Sequence, residues 1–212
     1  MQKEKYTISL VILASAFCLV PNAMAEKGFS IEGGLIYDRP IDDDDERAFS
    51  HLRPGFGYVA NLGYDLFDNL GFELGVMHSR HDYDFSSSGG GILEEVAGRT
   101  AFFLKLRGIP LRISNSELVL AAGPAYFDIS GKMLVQDNDA SAGFSGWGFV
   151  SNAGYRYHLN EGLAVGLFLG INLVRYDRFD LLGYNTGVQG AFPKGNSIGW
   201  GLTIFHRIGI PQ

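Results

Sequence analysis

A two-residue alternation of apolar and small or polar side chains recurs along the chain from Phe29 to Ile204, and it constrains the fold more than any other feature. In the first segment Phe29, Ile31, Gly33, Leu35 and Tyr37 share one phase; Ser30, Glu32, Gly34 and Asp38 share the other. A strand turns successive side chains to opposite faces, so this period predicts β-structure with one apolar face. Seven further segments repeat it. Their apolar phases run Phe56 to Tyr64, Leu70 to Val76, Thr100 to Leu106, Leu118 to Tyr126, Trp147 to Tyr157, Leu163 to Leu173 and Ile198 to Ile204. Each segment is about ten residues, the length a tilted strand needs to cross a bilayer.

The connections alternate as well. Long ones are expected near 39–53, 81–97, 130–143 and 176–195, and short ones near 66–69, 108–117 and 158–162. Turn formers mark the long ones: Ser86 to Gly91, Asp137-Asn138-Asp139, and Pro193 with Gly195-Asn196. Short turns on one side and long loops on the other is the outer-membrane pattern, with short turns and termini in the periplasm. A membrane-spanning helix is excluded. The longest apolar stretch after Ala25, Leu163 to Val174, is too short and is broken by Gly166, Gly170 and Asn172.

Alternation alone does not say which face meets lipid, because a soluble barrel alternates too, with its apolar face inward. The composition decides. The phase opposite the Leu and aromatic residues is rich in glycine, of which the chain has 29. A water-facing surface would carry Lys, Glu and Thr; a narrow lumen needs small residues. Aromatics also gather at segment ends. Tyr37, Phe56, Tyr58, Tyr126 and Trp147 lie towards the long loops, and Tyr64, Phe72, Tyr155 and Tyr157 towards the short turns. These are two interfacial girdles. The expected fold is all-β: an eight-stranded antiparallel transmembrane β-barrel spanning residues 26–212.

Residues 1–25 read as a secretory signal peptide. Lys3 and Lys5 precede the uncharged run Ile8 to Val20, and Ala23-Met24-Ala25 supplies small residues for cleavage. The sole cysteine, Cys18, lies within it, which leaves the mature part without disulfide or thiolate chemistry. A net charge of −6 and the absence of a basic stripe argue against nucleic acid.

Glu32, Glu73, Lys105, Arg107 and Arg156 fall in the lumen phase, with Arg99. Unpaired charges there are costly, so they are expected to form an ion-pair network. Folding the third and fourth segments about Gly89 sets Glu73 opposite Lys105. The network then plugs the lumen; a gate or ion path is the functional alternative.

Taken together, the eight segments and the loop asymmetry resemble the small outer-membrane barrels that include the OmpA membrane domain, OmpX and OmpW. The last segment resembles their assembly signal, through Ser197, Gly199, Leu202 and Ile204, although Phe205 lies in the other phase and the chain runs on from His206 to Gln212. The resemblance implies recognition by the outer-membrane assembly machinery, residence among outer-membrane lipids and lipopolysaccharide, and a non-enzymatic role as structural or surface-interaction protein. The alternative is a narrow porin-like conduit for small hydrophobic solutes.

A lipid A-modifying enzyme is the third reading. Ser151-Asn152-Ala153-Gly154 resembles part of a deacylase motif, but Phe149 stands where the histidine base is needed and His158 is too far along the strand. The acidic run Asp42 to Glu46 and the group His78, His81, Asp82 and Asp84 lack metal-ligand spacing and read as solvated loop and polar rim. Arg175, Arg178 and Lys194 read as generic contact with lipopolysaccharide phosphates. The expectation is a monomer with no catalytic residue, metal or cofactor.

Overall fold

The computed structural model describes residues 28–41, 52–67, 69–82, 96–135, 138–181, 184–186 and 194–208. The expected signal segment, Asp42 to Glu46, Asp84 and Gly89 lie outside these residues. The strands are β1 (Phe29–Pro40), β2 (Gly55–Phe67), β3 (Leu70–Asp82), β4 (Val96–Ile113), β5 (Ser116–Val135), β6 (Asn138–His158), β7 (Leu163–Leu181), β8 (Tyr184–Thr186) and β9 (Ser197–Ile208). Each barrel strand pairs antiparallel with its neighbours, and the β1–β9, β7–β9 and β6–β7 ladders close the sheet on itself. Among the described residues the three-residue β8 pairs with the end of β7 alone. The barrel therefore has the eight strands that the alternation predicts.

Closure pairs each of the eight barrel strands on both sides, which lipid demands. The apolar phase faces out: Leu35 is 68% exposed, Leu74 60% and Leu202 60%. A continuous belt of this kind on a water-soluble molecule would be an aggregation surface; in hydrocarbon it is the solvated state. Aromatic pairs edge the belt at both ends. Tyr37 packs on Phe56 at 5.1 Å and on Trp200 at 5.5 Å, and Tyr126 on Trp147 at 5.5 Å. At the end bearing the strand termini, Phe29 packs on Tyr64 at 4.9 Å.

Two connections differ from expectation. The region 130–143 is not a long loop: β5 and β6 stay paired from Ser130↔Gly143 to Val135↔Asn138 and form a ribbon beyond the body of the barrel. Asn138 and Asp139, read as turn formers, are paired residues of it. The stretch 108–117 is also mostly strand. A short connection is expected there, yet β4 continues to Ile113 through a register shift between Gly108 and Leu111. Proline is tolerated where the ladder is interrupted, and the Ile109 amide donates instead to the Asn69 carbonyl at 2.9 Å. The hairpin turns at Ser114-Asn115, with Ser114 at φ 49°, the left-handed conformation that matches the twist of paired strands.

The interior is filled in layers. Ile36, Val59, Met77, Phe103, Phe127, Val150 and Val174 form a buried apolar cluster inside the barrel. Its rings lie over lumen glycines: a Cβ added to Gly75 would lie 2.6 Å from Phe103, one on Gly148 2.9 Å from Phe127, and one on Gly201 2.7 Å from Phe168. The glycine-rich phase thus makes room for inward aromatic rings.

Candidate lumenal site

Two polar clusters lie inside the barrel, one on each side of the apolar layer. The first is near the terminal end. Alternation on β3 and β4 sends Glu73, Lys105 and Arg107 inward, and the register sets Glu73 opposite Lys105. Lys105 Nζ lies 3.0 Å from Glu73 Oε2, and Arg107 Nη1 3.4 Å from Glu73 Oε1. Arg107 also binds Asp65, which Arg207 approaches at 3.4 Å. Lys105 donates to Asn152 Oδ1 at 3.1 Å. Arg156 on β6 reaches Glu32 on β1 at 3.0 Å and Glu117 on β5 at 3.7 Å. Glu117 also meets Arg112 at 2.8 Å and His158 at 3.1 Å. The five residues singled out from the sequence thus fall in two ion-paired groups: Glu73, Lys105 and Arg107 across β3 and β4, and Glu32 with Arg156, which joins β1 and β6, strands that are not neighbours. Rings cover two of the cations: Lys105 stacks on Phe103 at 4.5 Å and Arg156 on Phe205 at 3.9 Å.

The second cluster lies towards the long loops. Asp38 Oδ2 takes Arg99 Nη1 at 3.1 Å, the Ser79 hydroxyl at 3.2 Å and His81 Nε2 at 3.4 Å. Arg99 donates also to Ser197 Oγ at 2.8 Å and to the Gly195 carbonyl at 2.9 Å. His81 Nδ1 donates to the Arg53 carbonyl at 3.0 Å. Arg53 and Gly195 close two long connections, so the cluster fastens loop bases to the wall. The Ile41–Asn196 and Arg53–Asp82 backbone bonds, both 2.8 Å, continue the seam.

Ser79, His81 and Asp38 do not form a nucleophilic triad. Serine and carboxylate meet the same imidazole nitrogen, Nε2, whereas a triad needs the carboxylate on the other one. Ser79 and His81 are also fully buried. Ser151 donates to the Ile171 carbonyl at 3.4 Å. The group His78, His81 and Asp82 is not brought together. His81 points inward, while His78 bonds Thr100 at 2.9 Å and stacks on Tyr58. Among the described residues no three metal-ligating side chains converge. In the last strand, Ser197 is a buried partner of Arg99 and Asn172, while Leu202 and Ile204 face outward.

Sequence reading missed Asp38, Asp65, Glu117 and His158 as members of these clusters. Asp38 and Asp65 were legible, because both stand in the lumen phase of their segments. Glu117 and His158 were not, because the apolar alternation begins at Leu118 and ends at Tyr157, short of both.

Between the clusters a cavity of about 60 Å³ remains, lined by Glu32, Asn61, Met77, Phe103, Asn152 and Thr203 among others. At roughly 10–15 Å³ per enclosed water it accommodates only a few water molecules.

A closed antiparallel barrel with an apolar outer belt, two aromatic girdles and a packed, charge-bearing lumen defines a small transmembrane β-barrel. The chain belongs to the outer membrane protein beta-barrel domain family, whose model matches residues 9–204. Its fold is similar to that of the outer membrane protein OprG from Pseudomonas aeruginosa, with a TM-score of 0.60, 14% identity and 86% of this chain and 97% of that one covered. Neisserial surface protein A is similar with a TM-score of 0.56, 11% identity and 85% and 97% covered. The attachment invasion locus protein Ail of Yersinia pestis follows with a TM-score of 0.52, 12% identity and 85% and 99% covered. At such identities the likeness is one of fold. A search of curated proteins found no match.

Proposed function

We propose that this protein is a non-enzymatic outer-membrane barrel whose lumen is closed to solutes and whose working surface is the rim bearing the long connections. The observation that carries this reading is the filling of the lumen at successive levels: the Glu73–Lys105–Arg107 and Glu32–Arg156 ion pairs, the apolar layer, and the Asp38–Arg99–His81 cluster. Eight strands enclose just enough space for side chains, and here side chains occupy it. The β5–β6 ribbon, paired to Val135↔Asn138, gives that rim a projection suited to surface contact.

The same reading gives the remaining parts their roles. Residues 1–25 direct export, Ser197, Gly199, Leu202 and Ile204 engage the assembly machinery, and the outer belt is solvated by lipid around a monomer. Solute entry into vesicles separates the surface role from a conduit. Vesicles holding the purified protein should swell no faster in small neutral or apolar solutes than protein-free vesicles. Replacing residues 131–142 by a two-residue turn should leave the barrel folded and reduce adhesion of cells bearing the protein to a matrix-coated surface. Swelling well above background would assign the protein to transport instead.

A further inference from the structure

The lumenal cavity joins the two polar clusters. Asp38 lines it at the long-loop end, and Glu32 and Glu73 line it at the terminal end. One wall is the apolar layer. The other is β7 and β9, where Gly166, Gly170 and Gly199 leave room and Asn172 and Thr203 offer polar groups. Two acceptors on residues lining this space, Asp38 Oδ1 and Asn61 Oδ1, have no hydrogen-bond partner among the described residues. Asp38 is 0% exposed and Asn61 8%. A buried acceptor is nearly always paired, and water supplies the donor where a polar cavity has room for it.

The dimensions suit a single file. Asp38 and Glu32 stand six residues apart on β1. That is about 20 Å along the strand and roughly 15 Å along the axis of a tilted barrel. The cavity volume of about 60 Å³ corresponds to roughly four to six waters. At hydrogen-bonded spacing of about 2.8 Å they cover most of that length, and the end side chains cover the rest.

On the rim side of Asp38 lies a second cavity of about 10 Å³, lined by His81, Arg99, Tyr176 and exposed Lys194 among others. A hydrogen-bonded relay joins the two spaces. His81 Nε2 lies 2.9 Å from Ser79 Oγ, and Ser79 Oγ donates to Asp38 Oδ2 at 3.2 Å. Because that hydroxyl proton goes to Asp38, Nε2 donates to Ser79, just as Nδ1 donates to the Arg53 carbonyl. Arg99 on Asp38 at 3.1 Å and Arg156 on Glu32 at 3.0 Å obstruct a hydrated ion. A proton needs only hydrogen-bonded neighbours.

Resting on the closed lumen proposed above, we propose that this barrel passes protons and no other ion along its axis. The path is a relay of His81, Ser79 and Asp38, a file of cavity waters, and Glu32 at the terminal end. Each hop forms one O–H or N–H bond as the next breaks. His81 gives its Nε2 proton to Ser79 Oγ as Ser79 gives its own to Asp38. Asp38 yields a proton to the cavity water, and His81 takes a new one from water in the rim cavity. Glu32, whose side chain keeps 14% of its surface accessible, releases the proton at the terminal end. Rotation of the Ser79 hydroxyl resets the relay.

Proton entry into neutral-lipid vesicles carrying the purified full-length mature protein and loaded with a pH-sensitive dye tests this. An acid step is applied outside, in equal potassium on both sides, with and without valinomycin. With the ionophore, vesicles holding the wild type should acidify faster than protein-free ones. Without it, entry should stall, because the charge carried in by protons opposes further entry. Ser79→Ala removes the middle hydroxyl without adding bulk, and Asn61→Leu keeps the volume while taking an acceptor from the cavity. Each should slow entry about tenfold, the factor by which losing one hydrogen-bonded partner raises a barrier. Ser116→Ala, beside Tyr155 and away from the cavity, should leave entry unchanged. Heat-modifiable migration in gels reads the folding of each variant. Wild-type entry at the protein-free rate, or unchanged entry in either folded lumen variant, would overturn the relay and leave the closed lumen standing. Entry equally fast without valinomycin would show that other ions share the path and would overturn both.

Discussion

Glu73 is a buried carboxylate shared by two cations of the terminal-end cluster. It is 3% exposed and takes both Lys105 and Arg107. Removing its charge leaves buried Lys105 without a carboxylate and Arg107 with Asp65 alone, and breaking a buried pair typically costs about 3–5 kcal/mol. Glu73→Gln should lower unfolding stability in lipid by about that amount. The double variant Glu73→Gln/Lys105→Met should cost less than the sum of its single changes, because contacting partners are not additive. Urea unfolding followed by tryptophan fluorescence reads both; strict additivity would mean that the two side chains act independently. At this scale the sequence was informative wherever phase alone decides. It set Glu73 inward and, given one hairpin, opposite Lys105. It did not reveal which carboxylate each arginine selects. Arg156 reaches Glu32 across the barrel, a contact fixed by closure and not by any neighbour in the chain.

Among the elements, strands read more clearly from sequence than their ends. All eight barrel strands follow their alternation, because a one-residue slip would turn a lipid-facing row into the lumen. The ends of β4, β5 and β6 did not read correctly. Gly108-Ile109-Pro110 resembles a turn but sits at an irregularity within β4, where the ladder can omit proline's missing donor. Gly131 and Gly143 resemble loop residues but lie in a paired ribbon. Several of its residues are weak strand formers, so pairing and not propensity holds the ribbon.

The seam at the loop bases belongs to this scale too. His81 and Arg99 hold the Arg53 and Gly195 carbonyls, which end the connections after β1 and after β7. His81→Ala should leave the barrel assembled. It should also speed hydrogen exchange of the Arg53 amide by roughly tenfold or more, since a lost buried hydrogen bond costs about 1–3 kcal/mol. Unchanged exchange there would show that the loop base is held by other contacts.

For the molecule as a whole, three kinds of filling succeed one another along the lumen. Ion pairs near the terminal end give way to an apolar layer seated on glycines, then to the buried Asp38 cluster below the long-loop rim. The sequence predicted the first from charges in the lumen phase. It concealed the second, because Ile36, Phe103, Phe127 and Val150 occupy a phase otherwise marked by glycine and look like lapses in the alternation. Phase tells inside from outside; it does not tell how the space between eight walls is shared. Because the fillings are stacked, removing one leaves the others in place. The most direct test is single-channel current across a planar bilayer, for the wild type and for Glu73→Ala. The layered filling predicts no resolved openings in either, since the Glu32–Arg156 pair, the aromatic layer and the Arg99–Asp38 cluster still close the lumen. Discrete ion-conducting steps in the wild type, or their emergence in Glu73→Ala, would contradict a lumen closed at more than one level.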